Sequence, residues 1–166
     1  MNIALIGMMG AGKTTISKLL IQKLSGFSFV DTDDLIVKSE KMSINDIFAL
    51  KGEEYFRKIE SEALASILFN DNQIISTGGG IVKSSTNLEL LKEKSIIFYL
   101  KASVDTLYER VKNNKERPLL NDSDILKKIE LLLCERKRLY EKAHFVIDTD
   151  GKSLNLVVSE IIEKLN

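Results

Sequence analysis

Residues 7–14, Gly7-Met8-Met9-Gly10-Ala11-Gly12-Lys13-Thr14, match the phosphate-binding loop pattern, in which two fixed glycines precede a lysine and a hydroxyl. Glycine lets backbone N–H groups wrap a phosphate, and the positive end of the following helix points at the same anion. Lys13 can reach the outer phosphates, and the Thr14 hydroxyl can bind a magnesium ion. A short apolar run precedes the loop and apolar residues at helical spacing follow it, so the context is the strand, loop and helix that this motif requires.

Composition limits the classes of protein to which the chain can belong. A length of 166 residues fits one domain, which we place at residues 1–166, and 44% hydrophobic with 29% charged residues is ordinary for a globular protein. The net charge of zero argues against a dedicated nucleic-acid or anionic-membrane binder. Cys134 and His144 are the only cysteine and histidine, so they cannot build a metal cluster. The helical pattern around Cys134 predicts a small core residue, and we expect a structural role for His144.

The chain shows no targeting pattern and no apolar run of membrane-spanning length. We therefore expect a cytoplasmic protein without membrane or nucleic-acid partners, acting as a monomer.

Apolar strand-like runs alternate with amphipathic helical stretches along the whole chain. The runs are residues 3–6, 27–30, 73–76, 96–100 and 145–147. This alternation predicts an α/β fold, with a parallel sheet between helices and ligands at the carboxyl ends of the strands. Ser43 is expected to cap a helix that Gly52 ends, and residues 123–142 are expected to form another helix. The polar segment 112–122, with the only proline, is predicted to be a mobile flap.

Acidic residues and glycines follow two of the predicted strands. In an extended backbone Asp31 and Asp33 point the same way, so we expect one to hold magnesium through water and the other to accept a substrate hydroxyl. The alternative is helix capping before a helix that starts near Leu35, a role that fits Asp34 best. The three glycines at residues 78–80 weaken regular structure but allow a ligand to approach the backbone closely.

Three arginines are candidates for binding anions, although each could also be a solvated surface charge. Arg57 and Arg136 lie in predicted helices, and arginine grips a carboxylate or phosphate with paired hydrogen bonds. Arg117 in the predicted flap could cover the transferring phosphate, and flap closure would exclude water.

In this order and spacing, the motifs resemble the shikimate kinase family, of the nucleoside-monophosphate-kinase-like branch of phosphate-loop proteins. The resemblance covers essentially the whole chain. It rests on residues 7–14, Asp31-Thr32-Asp33, Gly52-Glu53-Glu54-Tyr55-Phe56-Arg57, Gly78-Gly79-Gly80, Arg117-Pro118-Leu119-Leu120, and Arg136 with Leu139-Tyr140. It implies a five-stranded parallel sheet flanked by helices, with a mobile flap. It also implies ATP-dependent phosphorylation of the shikimate 3-hydroxyl, on the route to chorismate and the aromatic amino acids.

The resemblance also implies roles for individual residues. Nucleotide binding would involve Gly10, Ala11, Gly12, Lys13, Thr14, Thr15, Arg110, Arg117 and Lys152. Shikimate binding would involve Asp33, Arg57, Gly78, Gly79, Gly80 and Arg136. Lys13, Asp33 and Arg117 would be catalytic, while Thr14 would bind Mg²⁺ directly and Asp31 through water. Lys152 stands where some members have an arginine against adenine, and lysine lacks the planar face for stacking.

Two other functions fit part of the pattern. A sibling kinase acting on gluconate or a nucleotide would share the loop and the fold, but it does not account for Arg57, the three glycines and Arg136 together. The second is a nucleotide-dependent switch or binding module that works through a partner. A GTPase switch should carry an Asn-Lys-x-Asp guanine motif, and the nearest string, at residues 114–117, lacks the aspartate.

Overall fold

The computed structural model describes residues 1–112 and 122–166, with side chains in the second range described from residue 124. The strands are β1 (Asn2–Ile6), β2 (Ser28–Asp31), β3 (Gln73–Ser76), β4 (Ser95–Lys101) and β5 (Phe145–Asp148). The helices are α1 (Lys13–Lys23), α2 (Thr32–Glu40), α3 (Ile44–Ile67), α4 (Ser85–Lys94), α5 (Val104–Val111), α6 (Asp122–Tyr140) and α7 (Leu154–Leu165), with a 3₁₀ helix at Ile81–Lys83.

The five strands form one parallel sheet in the order β2-β3-β1-β4-β5. All five residues of β1 are buried, as expected for the central strand of a sheet covered on both faces. The predicted fold class and all five predicted strands are confirmed, with bounds within one residue. Since the strands are parallel, their carboxyl ends meet at one edge, where β1 leads into the phosphate loop.

Two groups of buried apolar residues stabilise this architecture. The main core packs helices against the sheet. A smaller core consists of Ile36, Ile47 and Phe56, where α2 meets α3. The smaller core anchors the part of α3 that carries Arg57, the residue after Phe56.

Helix α3 begins where its sequence predicts, whereas Gly52, predicted to end it, only breaks its path. The Ser43 side chain caps the helix, since its Oγ accepts a hydrogen bond from the Asp46 backbone N–H at 3.1 Å. Gly52 has φ 83° and ψ 170°, so the helical path breaks there. The break does not end the element, because helical geometry resumes at once and continues to Ile67. Glycine adopts this positive φ without the strain that a Cβ would cause.

Three local predictions are wrong. Strand β2 ends at Asp31 and α2 begins at Thr32, so Asp31 and Asp33 are not neighbours on one extended face. Asp31, not Asp34, caps α2, because its Oδ1 accepts the Asp33 N–H at 3.0 Å. Cys134 is exposed. It lies about 140° around α6 from the buried Ile129, at about 100° per residue, and therefore faces away from the core.

His144 has the structural role expected of it, since its Nδ1 accepts the backbone N–H of Ile97 in β4 at 3.0 Å. None of the helices in the described ranges combines the length and apolarity needed to traverse a bilayer.

Candidate active site

The phosphate loop lies at the carboxyl edge of the sheet, between β1 and α1. Gly12, which precedes α1, has φ 89°, a conformation that favours glycine. Lys13 is only 9% exposed, and its Nζ donates to the carbonyls of Gly7 at 2.8 Å and Met8 at 2.9 Å. The loop therefore holds the lysine ammonium inside its own backbone curve, at the amino end of α1.

A pocket of about 360 Å³ opens beside the loop. It is lined by Gly10, Ala11, Gly12, Thr15, Ile16, Arg110, Thr149, Lys152, Leu154 and Val157. Six of the residues predicted to bind nucleotide are among them. Arg110 donates to the Gly10 carbonyl at 3.2 Å, whereas the Lys152 ammonium pairs with Glu160 at 2.7 Å. The pocket thus places two cationic side chains and several apolar ones next to the phosphate loop.

The two residues predicted to hold magnesium are in direct contact. Thr14 Oγ1 donates to Asp31 Oδ2 at 2.8 Å, and Ser76 Oγ lies 3.1 Å from the same hydroxyl. These side chains offer oxygen ligands, only one of which is a carboxylate. Mg²⁺ uses such a ligand set when it keeps several waters and binds substrate phosphates. In the described ranges no group of three His, Cys, Asp or Glu side chains could hold a metal. The donors at Thr14 and Asp31 therefore fit a nucleotide-bound Mg²⁺ and not a closed protein cage.

The three glycines after β3 pack closely against the predicted site residues, and an added Cβ at Gly78 or Gly80 would displace a side chain. A Cβ on Gly78 would lie 2.8 Å from both Asp33 Oδ1 and Glu60 Oε1. A Cβ on Gly80 would overlap the Arg57 guanidinium. At Gly79 the same atom would lie 3.5 Å from the Gly7 carbonyl and 3.8 Å from Arg136 Nη1. This glycine loop therefore joins the phosphate loop to three predicted substrate residues, Asp33, Arg57 and Arg136.

Some backbone groups of the glycine loop already make hydrogen bonds within the protein. The Gly78 N–H donates to Thr32 Oγ1 at 3.0 Å, and the Gly79 carbonyl accepts a hydrogen bond from the Tyr140 hydroxyl. Burial raises the pKa of Tyr140 to about 12, so this hydroxyl keeps its proton. Because its N–H is already used, Gly78 contributes close packing and not a hydrogen-bond donor for a ligand.

Arg57 is held by two glutamates of its own helix. Its Nη1 donates to Glu60 Oε2 at 2.8 Å, and its Nη2 lies 3.3 Å from Glu53 Oε1. Glu60 is only 1% exposed. Desolvation by burial raises the pKa of Glu60 against the opposing effect of Arg57. The guanidinium is thus oriented before any ligand binds.

Arg136 is a buried cation on α6. It is 7% exposed, and among the described residues its buried Nε has no hydrogen-bond partner. A buried charge is costly unless an anion pairs with it. Arg136 therefore favours an anionic ligand beside Gly79.

Arg117, predicted to be catalytic and to bind nucleotide, lies outside the described residues, as does most of the predicted flap at residues 112–122. Both remain predictions.

Two further residues at the site, Glu60 and Ser76, were not predicted from the sequence. Glu60 occupies a position on the apolar stripe of α3, four residues after Phe56 and four before Leu64, both of which are buried. A carboxylate at such a position signals a function, because it must pair with a cation or with ligand. Ser76 gave no such signal, since serine at a strand end is ordinary.

Comparison with known proteins identifies the family. A family model described as shikimate kinase matches residues 9–166. The chain belongs to the shikimate kinase family. The shikimate kinase of Thermodesulfovibrio yellowstonii is 45% identical over 163 residues, covering 98% of this chain and 94% of the relative. Membership confirms the family resemblance and makes the protein a phosphate-loop kinase.

Solved structures agree with this family assignment. Shikimate kinase from Acinetobacter baumannii in complex with shikimate superposes with a TM-score of 0.92 at 34% identity, covering 99% of this chain and 92% of that one. A deoxyadenosine kinase from M. mycoides with bound dATP has a TM-score of 0.67 at 21% identity, covering 100% of each chain. The latter likeness extends to the fold alone, which is the phosphate-loop kinase fold.

Proposed function

We propose that this protein transfers the γ-phosphoryl group of ATP to the 3-hydroxyl of shikimate, giving shikimate 3-phosphate and ADP on the route to chorismate and the aromatic amino acids. Membership of the shikimate kinase family supports the reaction. The convergence of Asp33, Arg57 and Arg136 on one glycine loop that touches the phosphate loop carries the proposal. No observation favours a gluconate or nucleotide acceptor.

The acceptor side suits a small carboxylated triol. Arg57 and the buried Arg136 would hold the carboxylate with paired, charge-assisted hydrogen bonds. Asp33 would accept a hydrogen bond from a ring hydroxyl and orient the attacking oxygen. Because phosphoryl transfer has a loose transition state, orientation by Asp33 matters more than its strength as a base.

The donor side suits ATP. The pocket, whose lining includes Thr15, Arg110 and Lys152, would hold the nucleoside, and the backbone of residues 10–14 would wrap the phosphates. Lys13 would move from the loop carbonyls to the outer phosphates and stabilise the charge that develops on them. Thr14 and Asp31 would hold Mg²⁺, which neutralises phosphate charge when bound. Arg117 would stabilise the same charge from the flap.

The cellular setting belongs to the same proposal. We expect the enzyme to act in the cytoplasm as a monomer, with ATP and shikimate as its partners. The net charge of zero supports the absence of nucleic-acid and membrane partners.

The direct test is ADP release from ATP and Mg²⁺ with shikimate, gluconate or nucleoside monophosphates as the acceptor. We expect release that depends on shikimate alone and disappears in Lys13→Ala. Release with another acceptor only would leave the kinase fold and overturn the roles of Asp33, Arg57 and Arg136. Folded protein without acceptor-dependent release would contradict the reaction altogether.

A further inference from the structure

Lys83 lies where three elements of the acceptor side meet. It is the last residue of the 3₁₀ helix that follows the glycine loop. Its Nζ lies 3.2 Å from Glu53 Oε1 on α3 and 3.3 Å from Glu135 Oε1 on α6. One ammonium therefore bridges two helices that are far apart in sequence.

Each of these glutamates is next to one of the two carboxylate-binding arginines. Glu53 is one turn before Arg57, and its Oε1 also accepts from Arg57 Nε at 3.4 Å. Glu135 directly precedes Arg136. The bridge therefore joins α3 and α6 at the points where they carry the two guanidinium groups.

Lys83 and Arg57 share the Glu53 carboxylate at similar distances, 3.2 Å and 3.3 Å. The hydrogen bond from Lys83 is the largest cause of the lowered pKa of Glu53, ahead of the contribution of Arg57. Without Lys83, the Glu53 carboxylate would turn to Arg57 alone. It would then compete with a ligand carboxylate for that guanidinium.

We propose that Lys83 is a positioning residue for substrate binding, which holds Arg57 and Arg136 at the spacing that lets both grip one carboxylate. The inference rests on the proposed shikimate kinase activity. Lys83 itself acts through Glu53 and Glu135 and need not touch substrate.

The test varies shikimate at saturating ATP and Mg²⁺, at low ionic strength, in Lys83→Met and Lys83→Arg. The side chains of Lys83, Glu53 and Glu135 are 33%, 53% and 49% exposed, so the effect is modest. We expect Lys83→Met to raise the KM for shikimate about two- to fivefold, the size typical of exposed ion pairs. The kcat and the KM for ATP should not change. Lys83→Arg should keep the KM for shikimate at the wild-type value, because arginine can span both carboxylates.

A second variant separates positioning from simple attraction between Lys83 and the anionic substrate. Glu135→Gln removes a negative charge near the carboxylate site, so attraction alone predicts a lower KM for shikimate. The bridge predicts a higher one. Glu130→Gln, on an exposed position of the same helix, removes the same charge without touching the bridge and is the matched control.

The outcomes are distinct. A raised KM in both Lys83→Met and Glu135→Gln, with Glu130→Gln unchanged, supports the proposal. An unchanged KM in Lys83→Met, or a lowered KM in Glu135→Gln, overturns it while leaving the kinase activity in place. Wild-type protein without shikimate-dependent ADP release overturns the proposed function itself, before any variant is compared.

Discussion

Glu60 shows how one buried side chain links stability to the site. It orients Arg57 and lies beside Asp33, which is predicted to accept a hydrogen bond from a substrate hydroxyl. Burial raises its pKa above the ordinary 4.5, so the folded protein holds its proton more tightly than the unfolded chain does. Stability from this group is therefore greatest at low pH and is lost as the pH rises from about 4.5 through the raised value.

We expect Glu60→Gln to remove this pH dependence. The free energy of unfolding of the wild type, relative to the variant, should fall as the pH rises from about 4 to about 7, with a slope below about 1.4 kcal/mol per pH unit. Denaturant unfolding at several pH values measures it. A relative stability of the wild type that rises over this range would contradict the raised pKa. The variant should also raise the KM for shikimate, because Arg57 loses its orientation.

A second prediction at the residue scale concerns Gly80. The methyl group that Gly80→Ala adds would overlap the Arg57 guanidinium and push it away from the glycine loop. We expect the KM for shikimate to rise about 10- to 100-fold, the size typical of a misplaced binding group, with the KM for ATP unchanged. Gly26→Ala is the control, because Gly26 has φ +86° and no atom within 4 Å of its added Cβ. It should lose stability without changing either KM.

Among the helices, α3 depends on its amino-terminal cap. Ser43→Ala removes the acceptor for the Asp46 N–H and should lower the free energy of unfolding by about 1 kcal/mol. Ser66→Ala is the matched control, since the exposed Ser66 hydroxyl donates only to the Ala63 carbonyl of its own helix. Alanine favours a helix, so this change should cost no stability. Equal losses in both variants would show that the cap is not what stabilises α3.

Helix α6 shows what helical periodicity can and cannot predict. Arg136 and Tyr140 follow Ile129 by seven and eleven residues, and this spacing places all three on one buried face of the helix. That spacing could have marked Arg136 as a buried cation and Cys134 as exposed. The apolar neighbours Leu132 and Leu133 misled the prediction, because they are themselves only half-buried.

At the scale of the whole molecule, the proposed nucleotide and acceptor sites occupy different parts of the carboxyl edge of the sheet. The pocket proposed for the nucleotide lies over α1 and α7, whereas the residues proposed to bind the acceptor come from α2, α3 and α6. The two halves meet where the glycine loop reaches the phosphate loop and where Thr14 contacts Asp31. This separation predicts that a substitution can abolish the binding of one ligand without affecting the binding of the other.

Thermal unfolding with each ligand tests that separation. A ligand at 100 times its Kd should stabilise the wild type by about 2.7 kcal/mol. In Lys13→Met, the rise in Tm caused by ADP and Mg²⁺ should shrink while the rise caused by shikimate remains. In Arg136→Lys, the rise caused by shikimate should shrink while the rise caused by ADP and Mg²⁺ remains. If either variant loses both of these rises equally, the two halves do not bind independently.

Local sequence determined the strands, the phosphate loop and the Ser43 cap, because periodicity, glycine spacing and capping act over a few neighbouring residues. Family motifs predicted a site that includes Asp33, Arg57, the three glycines and Arg136, which the fold brings together around the glycine loop. Only the tertiary structure decided that Asp31 caps α2 and contacts Thr14, that Glu60 holds Arg57, and that Lys83 joins α3 to α6. The Thr14–Asp31 contact and the Lys83 bridge join residues far apart in the chain, so they depend on how the elements pack. The Asp31 cap and the Glu60–Arg57 pair are local, but the first depends on where β2 ends and the second on the burial of Glu60 beside the glycine loop.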